Sequence, residues 1–212
     1  MATILREWSY RYQWLYDSIS KVAAITVGGD YKFRRLFLRD LTITADTKVL
    51  DLCCGSGQAT EILVQFSQDV TGLDASPLSL ARAKKNVPQA QYIQAFAEEI
   101  PFSDRSFDLV LTNTAMHEMQ PDQLQQILKE VYRVLKIGGT LAIVDFHKSN
   151  HWLFQAGISI FFHLFETETA WQFIDTDLKQ VLTAIGFTNY RDRLYAGNSL
   201  QVIQVQKSQI ST

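Results

Sequence analysis

Cysteine is scarce in this 212-residue chain, and the two that occur, Cys53 and Cys54, are adjacent. Neighbouring cysteines make a poor disulfide framework, and neither lies at a spacing from histidine that would close around zinc. No metal site is expected, and a reducing, cytoplasmic setting is expected. Proline is almost as rare, at four residues, so nothing marks a Pro-rich linker. Basic runs are missing, and the net charge is −2, which leaves no electrostatic footprint for nucleic acid. Long apolar runs are missing as well. The longest, Trp152 to Phe165, is interrupted by Gln155 and His163 and is too short to cross a bilayer. The first residues show no charged head followed by an apolar core, so no signal peptide is expected. There is no internal repeat. What is present, 47% apolar and 20% charged residues, is ordinary for one globular domain with a substantial core.

The most informative stretch is Val49-Leu50-Asp51-Leu52-Cys53-Cys54-Gly55-Ser56-Gly57. An apolar run ending in a carboxylate reads as a buried parallel strand, and Gly55-Ser56-Gly57 as a turn without bulky side chains. Gln58 to Phe66 follows with helical spacing, Ile62, Leu63 and Phe66 on one side. Strand, Gly-rich turn and helix together present backbone N–H groups to a ligand. A dinucleotide turn would carry a third glycine where Thr60 stands. Asp51 would also repel a pyrophosphate, whereas it attracts an ammonium or sulfonium. No Gly-Lys-Ser/Thr follows, so the phosphate-binding P-loop is excluded too. The turn suits a ligand with a cationic amino-acid end.

Strand-like and helix-like segments then alternate. Strands are expected at Lys48–Leu52, Val70–Leu73, Gln91–Gln94, Asp108–Asn113 and Thr140–Phe146. Helices are expected at Gln58–Phe66, Pro77–Asn86 and Asp122–Lys136, with Asp122 as N-cap and Gly138-Gly139 as the stop. This order predicts a parallel sheet with helices on both faces. A helix at Thr176–Ile185 ends at Gly186, and strands at Thr188–Tyr195 and Leu200–Gln206 form a hairpin that completes one edge with an antiparallel strand. Ligands gather at the carboxyl ends of such strands, which singles out Asp51 to Gly57, Asp74, Asn113 to Glu118 and Asp145 to Lys148.

These motifs, taken in order, resemble the class I S-adenosylmethionine-dependent methyltransferases. The likeness spans roughly Val49 to Phe146. It rests on the first turn, on Val70-Thr71-Gly72-Leu73-Asp74-Ala75-Ser76, and on Ala97-Glu98-Glu99-Ile100-Pro101-Phe102 followed by Ser106-Phe107-Asp108-Leu109-Val110. Its last part is Val134-Leu135-Lys136-Ile137-Gly138-Gly139-Thr140-Leu141. The resemblance implies an α/β, Rossmann-like, mostly parallel seven-stranded sheet with helices on both faces and one antiparallel strand in the edge region. It implies a single domain with lid helices over 1–45, a cofactor-binding core over 46–148, an acceptor-side cap over 149–175 and a C-terminal helix and strands over 176–212. The cofactor would be S-adenosylmethionine, with S-adenosylhomocysteine as product. Asp51, Cys53, Gly55 and Gly57 would hold its methionine end. Asp74, with Ala75 beside it, would take the ribose hydroxyls, while Ser76 is the better N-cap for the helix starting near Pro77. Phe96, Ala97 and Glu98 would border adenine, and Asn113 would be a further cofactor contact. Three departures stand out: Cys53 replaces the family's first turn glycine, Ile137 replaces its helix-to-strand proline, and Phe96 stands where an Asp often reads the adenine amino group. Phe96 reads equally as a core residue.

Candidate bases are His117 and Glu118 after the fourth strand, and Asp145 and His147 after the fifth. His117 and His147 are the first choices for catalysis or substrate contact, while His151 and His163 belong to an apolar cover. The cysteine pair reads as small apolar filler. Tyr10, Tyr12, Trp14, Leu15, Tyr16 and Ile19 form one aromatic-apolar group, and Trp152 to Phe165 another. Tyr12 and Tyr16 are candidate substrate contacts. Three readings of these groups stand: a lid over a bulky apolar acceptor, plain core, or an amphipathic face resting on a membrane.

Within the family, Tyr16-Asp17-Ser18-Ile19-Ser20 with Gly28-Gly29, the Cys-Cys turn and Val144-Asp145-Phe146-His147-Lys148 are similar to ubiquinone/menaquinone C-methyltransferases. Asn113 to Met119 departs from them and looks like the broader small-molecule group. The expected function is methyl transfer to a hydrophobic small molecule such as a prenylated quinone or phenol. The alternative is a cofactor-binding regulatory module that has lost catalysis. The methylated atom and the oligomeric state stay open.

Overall fold

The computed structural model describes residues 29–165 and 167–208. Its sheet contains β1 (Lys48–Leu52), β2 (Asp69–Asp74), β3 (Gln91–Gln94), β4 (Phe107–Asn113), β5 (Leu135–Phe146), β6 (Phe187–Tyr195) and β7 (Leu200–Lys207), in the spatial order β3-β2-β1-β4-β5-β7-β6. The chain runs from β1 outward to β3, then crosses back to place β4 on the other side of β1. The pairs β1–β2, β2–β3, β1–β4 and β4–β5 are parallel. The topological switch thus lies between β1 and β4, where a crevice opens at the carboxyl ends. β7 is antiparallel to both β5 and β6, so the antiparallel strand lies one place in from the edge, with β6 outermost.

Among the described residues the α-helices are α1 (Asp30–Arg34), α2 (Thr60–Leu63), α3 (Pro77–Asn86), α4 (Pro121–Val134), α5 (Trp152–Phe165), α6 (Glu168–Asp175) and α7 (Leu178–Ile185). In α4, Leu124, Ile127, Leu128, Val131 and Val134 are buried, a single apolar stripe at helical spacing. Strand alternation sends Leu50, Leu52, Val110, Leu141 and Ile143 into the cluster under α4 and α7. Val49, Leu109, Leu111, Ala142 and Val144 go to the opposite face, with Ile62 and Leu63 of α2. Each Val, Leu or Ile among these contributes roughly 1.5–3 kcal/mol when fully buried.

Four expectations change at element ends. α4 starts at Pro121 with Gln120 as N-cap; Gln123 Oε1 accepts the Gln120 amide at 3.3 Å, and Asp122 lies inside the first turn. α4 stops at Val134, and Gly138-Gly139 belongs to an irregular start of β5, where pairing with β4 shifts register between Phe107 and Leu109. Gly138 adopts φ +77°, and a Cβ on Gly139 would meet the Lys136 carbonyl at 2.8 Å. α2 is shorter than its apolar spacing suggests, and Phe66 lies exposed beyond it. α7 begins at Leu178, capped by Asp177, whose Oδ1 accepts the Gln180 amide at 2.9 Å. Gly186 ends it in the left-handed conformation, as expected of a C-terminal glycine.

Candidate active site

Alternation along β1 turns Asp51 toward α2, where its carboxylate is buried at 1% exposure. Thr60 Oγ1 donates to Asp51 Oδ2 at 2.5 Å. Burial pushes the Asp51 carboxyl from 3.8 up to about 7, against the lowering effect of hydrogen bonds from the Thr60 hydroxyl and amide. Thr60, met in the sequence as a missing glycine, is thus the hydroxyl partner that a buried carboxylate requires. Their spacing of nine residues, strand end to helix start, was the available signal.

The chain then turns sharply. Cys53 adopts φ +58°, a left-handed conformation that costs an ordinary residue about 1–2 kcal/mol and explains why glycine suits this position. Both thiols are pushed well above the ordinary range, first by burial and then by carboxylates: Asp74, Asp51, Glu118 and Glu98 act on Cys53, and Asp51 and Asp74 on Cys54. Neither cysteine is poised as a nucleophile. Gly55 follows at φ +54°, and a Cβ built on it would meet nothing within 4 Å. Its amide donates to Asp74 Oδ2 at 2.8 Å, while Asp74 Oδ1 accepts the Ser76 amide at 2.8 Å. Ser76 Oγ caps α3 through the Ser79 amide, so Asp74 is not the cap. Each Asp74 oxygen has a second lone pair for a further donor. Gly57, at φ +87°, packs against Ala83, and Ala75 is exposed beside Asp74.

Phe96 is 69% exposed, which overturns its reading as a core residue. Ala97 beside it is buried. Glu98 is turned toward α4, its carboxylate accepting from Gln123 Nε2 and its carbonyl from Gln126 Nε2 at 3.2 Å. At the end of β4, Asn113 Oδ1 is buried without a hydrogen-bond partner among the described residues. Thr114 next to it adopts φ +52°, strained for a β-branched residue; its amide donates to the Val144 carbonyl at 2.7 Å.

His117 occupies a 3-10 turn (Met116–Glu118) and is 3% exposed. Its Nδ1 lies 2.6 Å from Asp145 Oδ1. Asp145, fully buried at 0% exposure, also accepts the amides of Met116 at 2.9 Å, His117 at 3.3 Å and Phe146 at 2.8 Å. The three amides and the Nδ1 contact together give the carboxylate four hydrogen-bond contacts. The His117 ring meets Phe146 edge-on at 4.7 Å. Phe146 in turn touches Phe161 and Phe162 of α5, and Phe162 touches Trp171 of α6. The pairing of His117 with Asp145 joins residues 28 apart and had no local signal beyond both being near strand ends.

The other histidines are elsewhere. His147 Nδ1 lies 2.8 Å from the Asn198 carbonyl, and its amide donates to the Ser199 carbonyl at 2.9 Å, which ties β5 to the β6–β7 turn. His151 stacks edge-on against Phe154, and His163 binds the Ser159 carbonyl at 2.7 Å and meets Trp171. Tyr12 and Tyr16 lie outside the described residues, as do the other N-terminal aromatics and Gly28.

The residues at the carboxyl edge fit S-adenosylmethionine. The space above Gly55 admits a ligand against the backbone. Asp74 has lone pairs to spare for hydroxyl donors, Asn113 Oδ1 is an unused acceptor, and Phe96 exposes a flat apolar ring. Apart from Asp51, whose burial favours its protonated form, the carboxylates of Asp74, Glu98 and Glu118 all act on Cys53, a field favourable to a cationic ligand.

Comparison with known proteins agrees. The family pattern described as a methyltransferase domain matches residues 49–139. A Synechocystis protein named as an uncharacterized methyltransferase is 56% identical over 206 residues, covering 97% of each chain. The demethylmenaquinone methyltransferase of Lactobacillus johnsonii is 30% identical, covering 82% of this chain and 80% of its own. Among solved structures, an S-adenosylmethionine-dependent methyltransferase from Thermotoga maritima superposes with TM-score 0.69 at 17% identity, covering 96% of this chain and all (100%) of that one. The Bacillus YcgJ protein superposes with TM-score 0.64 at 19% identity, covering 85% and 100%; these two establish likeness of fold. The chain belongs to the class I S-adenosylmethionine-dependent methyltransferases.

Proposed function

We propose that this methyltransferase acts on a hydrophobic aromatic acceptor bearing an ionisable hydroxyl, such as a phenol or a prenylated hydroquinone. The observation that carries the reading is His117, hydrogen-bonded to a buried carboxylate and bordered by Phe146, with Phe161, Phe162 and Trp171 extending the aromatic wall. The bound cofactor supplies an activated methyl group. Gly55, Asp74, Phe96 and Asn113 would seat it at the carboxyl edge, with Asp51 bracing the turn from beneath through Thr60. Methyl transfer depends chiefly on alignment and exclusion of water, which an apolar wall favours. His117 would remove the acceptor's proton; His147, tied to Asn198, is the weaker candidate.

Trp152 and Ile160 of α5 are exposed, and among the described residues no helix is long and apolar enough to cross a membrane. Both facts suit a cytoplasmic enzyme that meets an apolar acceptor at a membrane surface. The demethylmenaquinone-methylating relative is in keeping with a quinol acceptor. A panel of acceptors tests the reading. Transfer to detergent-solubilised phenols and prenylated hydroquinones, and not to polar amines, is expected. Transfer confined to amines, or cofactor binding with no transfer to any acceptor, contradicts it; the second outcome favours a regulatory module.

A further inference from the structure

α4 carries a polar stripe as well as an apolar one. Gln123, Gln126, Glu130 and Arg133 follow at steps of three and four, so they line one face of the helix. That face grips the connection between β3 and β4. Gln123 Nε2 donates to the Glu98 carboxylate, and Gln126 Nε2 to the Glu98 carbonyl at 3.2 Å. Glu130 Oε2 accepts the Ile100 amide at 3.0 Å. Arg133 uses every N–H of its guanidinium. Two go to the Glu130 carboxylate at 2.8 Å, one each to the carbonyls of Ile100 at 2.9 Å and Phe102 at 2.8 Å, and one to Asp104 Oδ1 at 2.9 Å. Packing buries Ala97 and Ile100. An open cleft of about 620 Å³ is nevertheless lined by Glu98 to Ser103, Glu130 and Arg133, which leaves the hydrogen bonds to set the course of the backbone.

With the amino-acid end of the cofactor over Gly55 after β1 and its ribose at Asp74 after β2, the base extends outward over the end of β3. There Asp74 pairs with Gln94, the Asp74 carbonyl accepts the Ala95 amide at 3.2 Å, and the Ala75 carbonyl accepts Gln94 Nε2 at 3.3 Å. Phe96, Ala97 and Glu98 come next, and from Glu98 onward α4 holds the chain. We propose, on the reading of the carboxyl edge as the seat of S-adenosylmethionine, that the stripe Gln123, Gln126, Glu130 and Arg133 is the positioning element of the base-side wall. Arg133 is its principal residue, since it alone binds three separate points of the connection. The stripe acts through the backbone of the segment and not on the ligand. It fixes Phe96 to Glu98 before the ligand arrives. An unbraced connection from Ala95 to Ser106 would lose its freedom on binding instead, at a cost in affinity.

Hydrogen exchange and ligand titration on the full chain test this together. Arg133→Lys keeps the charge but loses the planar fork of five donors. In the ligand-free variant, amides of the segment 96–104 should exchange about 10-fold faster, with those of the Gly55 turn unchanged. S-adenosylhomocysteine should bind about 10-fold more weakly. S-ribosylhomocysteine, which lacks the base, should bind as it does to the wild-type chain. Equal weakening of both ligands, with faster exchange at the Gly55 turn as well, would mean that Arg133 only holds the fold, and would overturn its role. Unchanged exchange over 96–104, or unchanged affinity for S-adenosylhomocysteine, would do so too. If Arg133→Lys does not fold, Gln126→Leu, which removes a single bond to the Glu98 carbonyl, is read in the same way, with effects of about 3-fold expected. Should the wild-type chain bind neither ligand, the cofactor seat is misplaced and the proposal falls with it. That failure is distinct from wild-type binding without the expected difference in the variant.

Discussion

The Gly55 amide donates to Asp74 Oδ2 at 2.8 Å, so the turn after β1 and the end of β2 form one hydrogen-bonded unit. One carboxylate thereby shapes the backbone against which a ligand can lie and presents its remaining lone pairs toward the same space.

Asp74→Ala removes both functions. Charge-assisted hydrogen bonds contribute about 1.5–3 kcal/mol each, so S-adenosylhomocysteine should bind roughly 10- to 100-fold more weakly. Calorimetric titration measures this directly. Unchanged affinity would mean that the ligand does not reach this carboxylate.

His117→Ala separates binding from chemistry. The ring meets Phe146 and Asp145, whereas the Gly55–Asp74 unit lies after other strands. Turnover of a phenol should fall by about 10²–10⁴-fold with affinity for S-adenosylhomocysteine retained. Loss of both in a folded variant would place His117 in the cofactor seat instead.

Asp51 carries a signed pH dependence. Its carboxyl ionises near 3.8 when unfolded and at about 7 when folded, so the native state holds a proton that the unfolded chain has released. This contribution is complete below the unfolded value and is lost as pH rises toward about 7. In Asp51→Asn the titration is gone. The stability difference, wild type minus variant, should therefore shrink by a few kcal/mol, roughly, between pH 4 and about pH 7. Urea denaturation across that range checks it, and a difference independent of pH would contradict the assignment.

Cys53 tests the strain in the turn. Cys53→Gly removes a side chain from a φ of +58° and should stabilise the protein by roughly 0.5–1 kcal/mol, the relief of strain exceeding the added freedom of the unfolded chain. Cys53→Val should destabilise it, because a β-branched residue tolerates this conformation least. Denaturation midpoints give both answers. A destabilised glycine variant would mean that packing of the thiol outweighs the strain.

Much of the fold could be read from period and punctuation. Lys48–Leu52, Pro77–Asn86 and Gln91–Gln94 match the observed elements residue for residue, because a buried strand before a Gly-rich turn and a Ser-Pro start are local signals. The ends of α4 were missed for local reasons as well. Asp122 is a strong capping residue, but Pro121 fixes the first helical position and leaves the cap to Gln120. The irregular start of β5 was invisible because Leu135 to Gly139 has no strand period. At the site, the separation of Asp74 from the capping role of Ser76 was legible in two neighbouring residues. The partnership of His117 with Asp145 was not, since it depends on β4 and β5 lying side by side. The exposure of Phe96 depends on tertiary packing in the same way, and an aromatic residue between two alanines gives no hint of it.

Methyl transfer to an apolar acceptor, from a cofactor held by the Gly55–Asp74 unit, is the reaction proposed. The most direct test is incubation of the protein with methyl-labelled S-adenosylmethionine and an organic extract of host cells, in parallel with Asp74→Ala. Label in an apolar aromatic product with the wild-type chain, and little with the variant, is the predicted result. Label that stays in the aqueous phase or on protein, or that appears equally with Asp74→Ala, would contradict it.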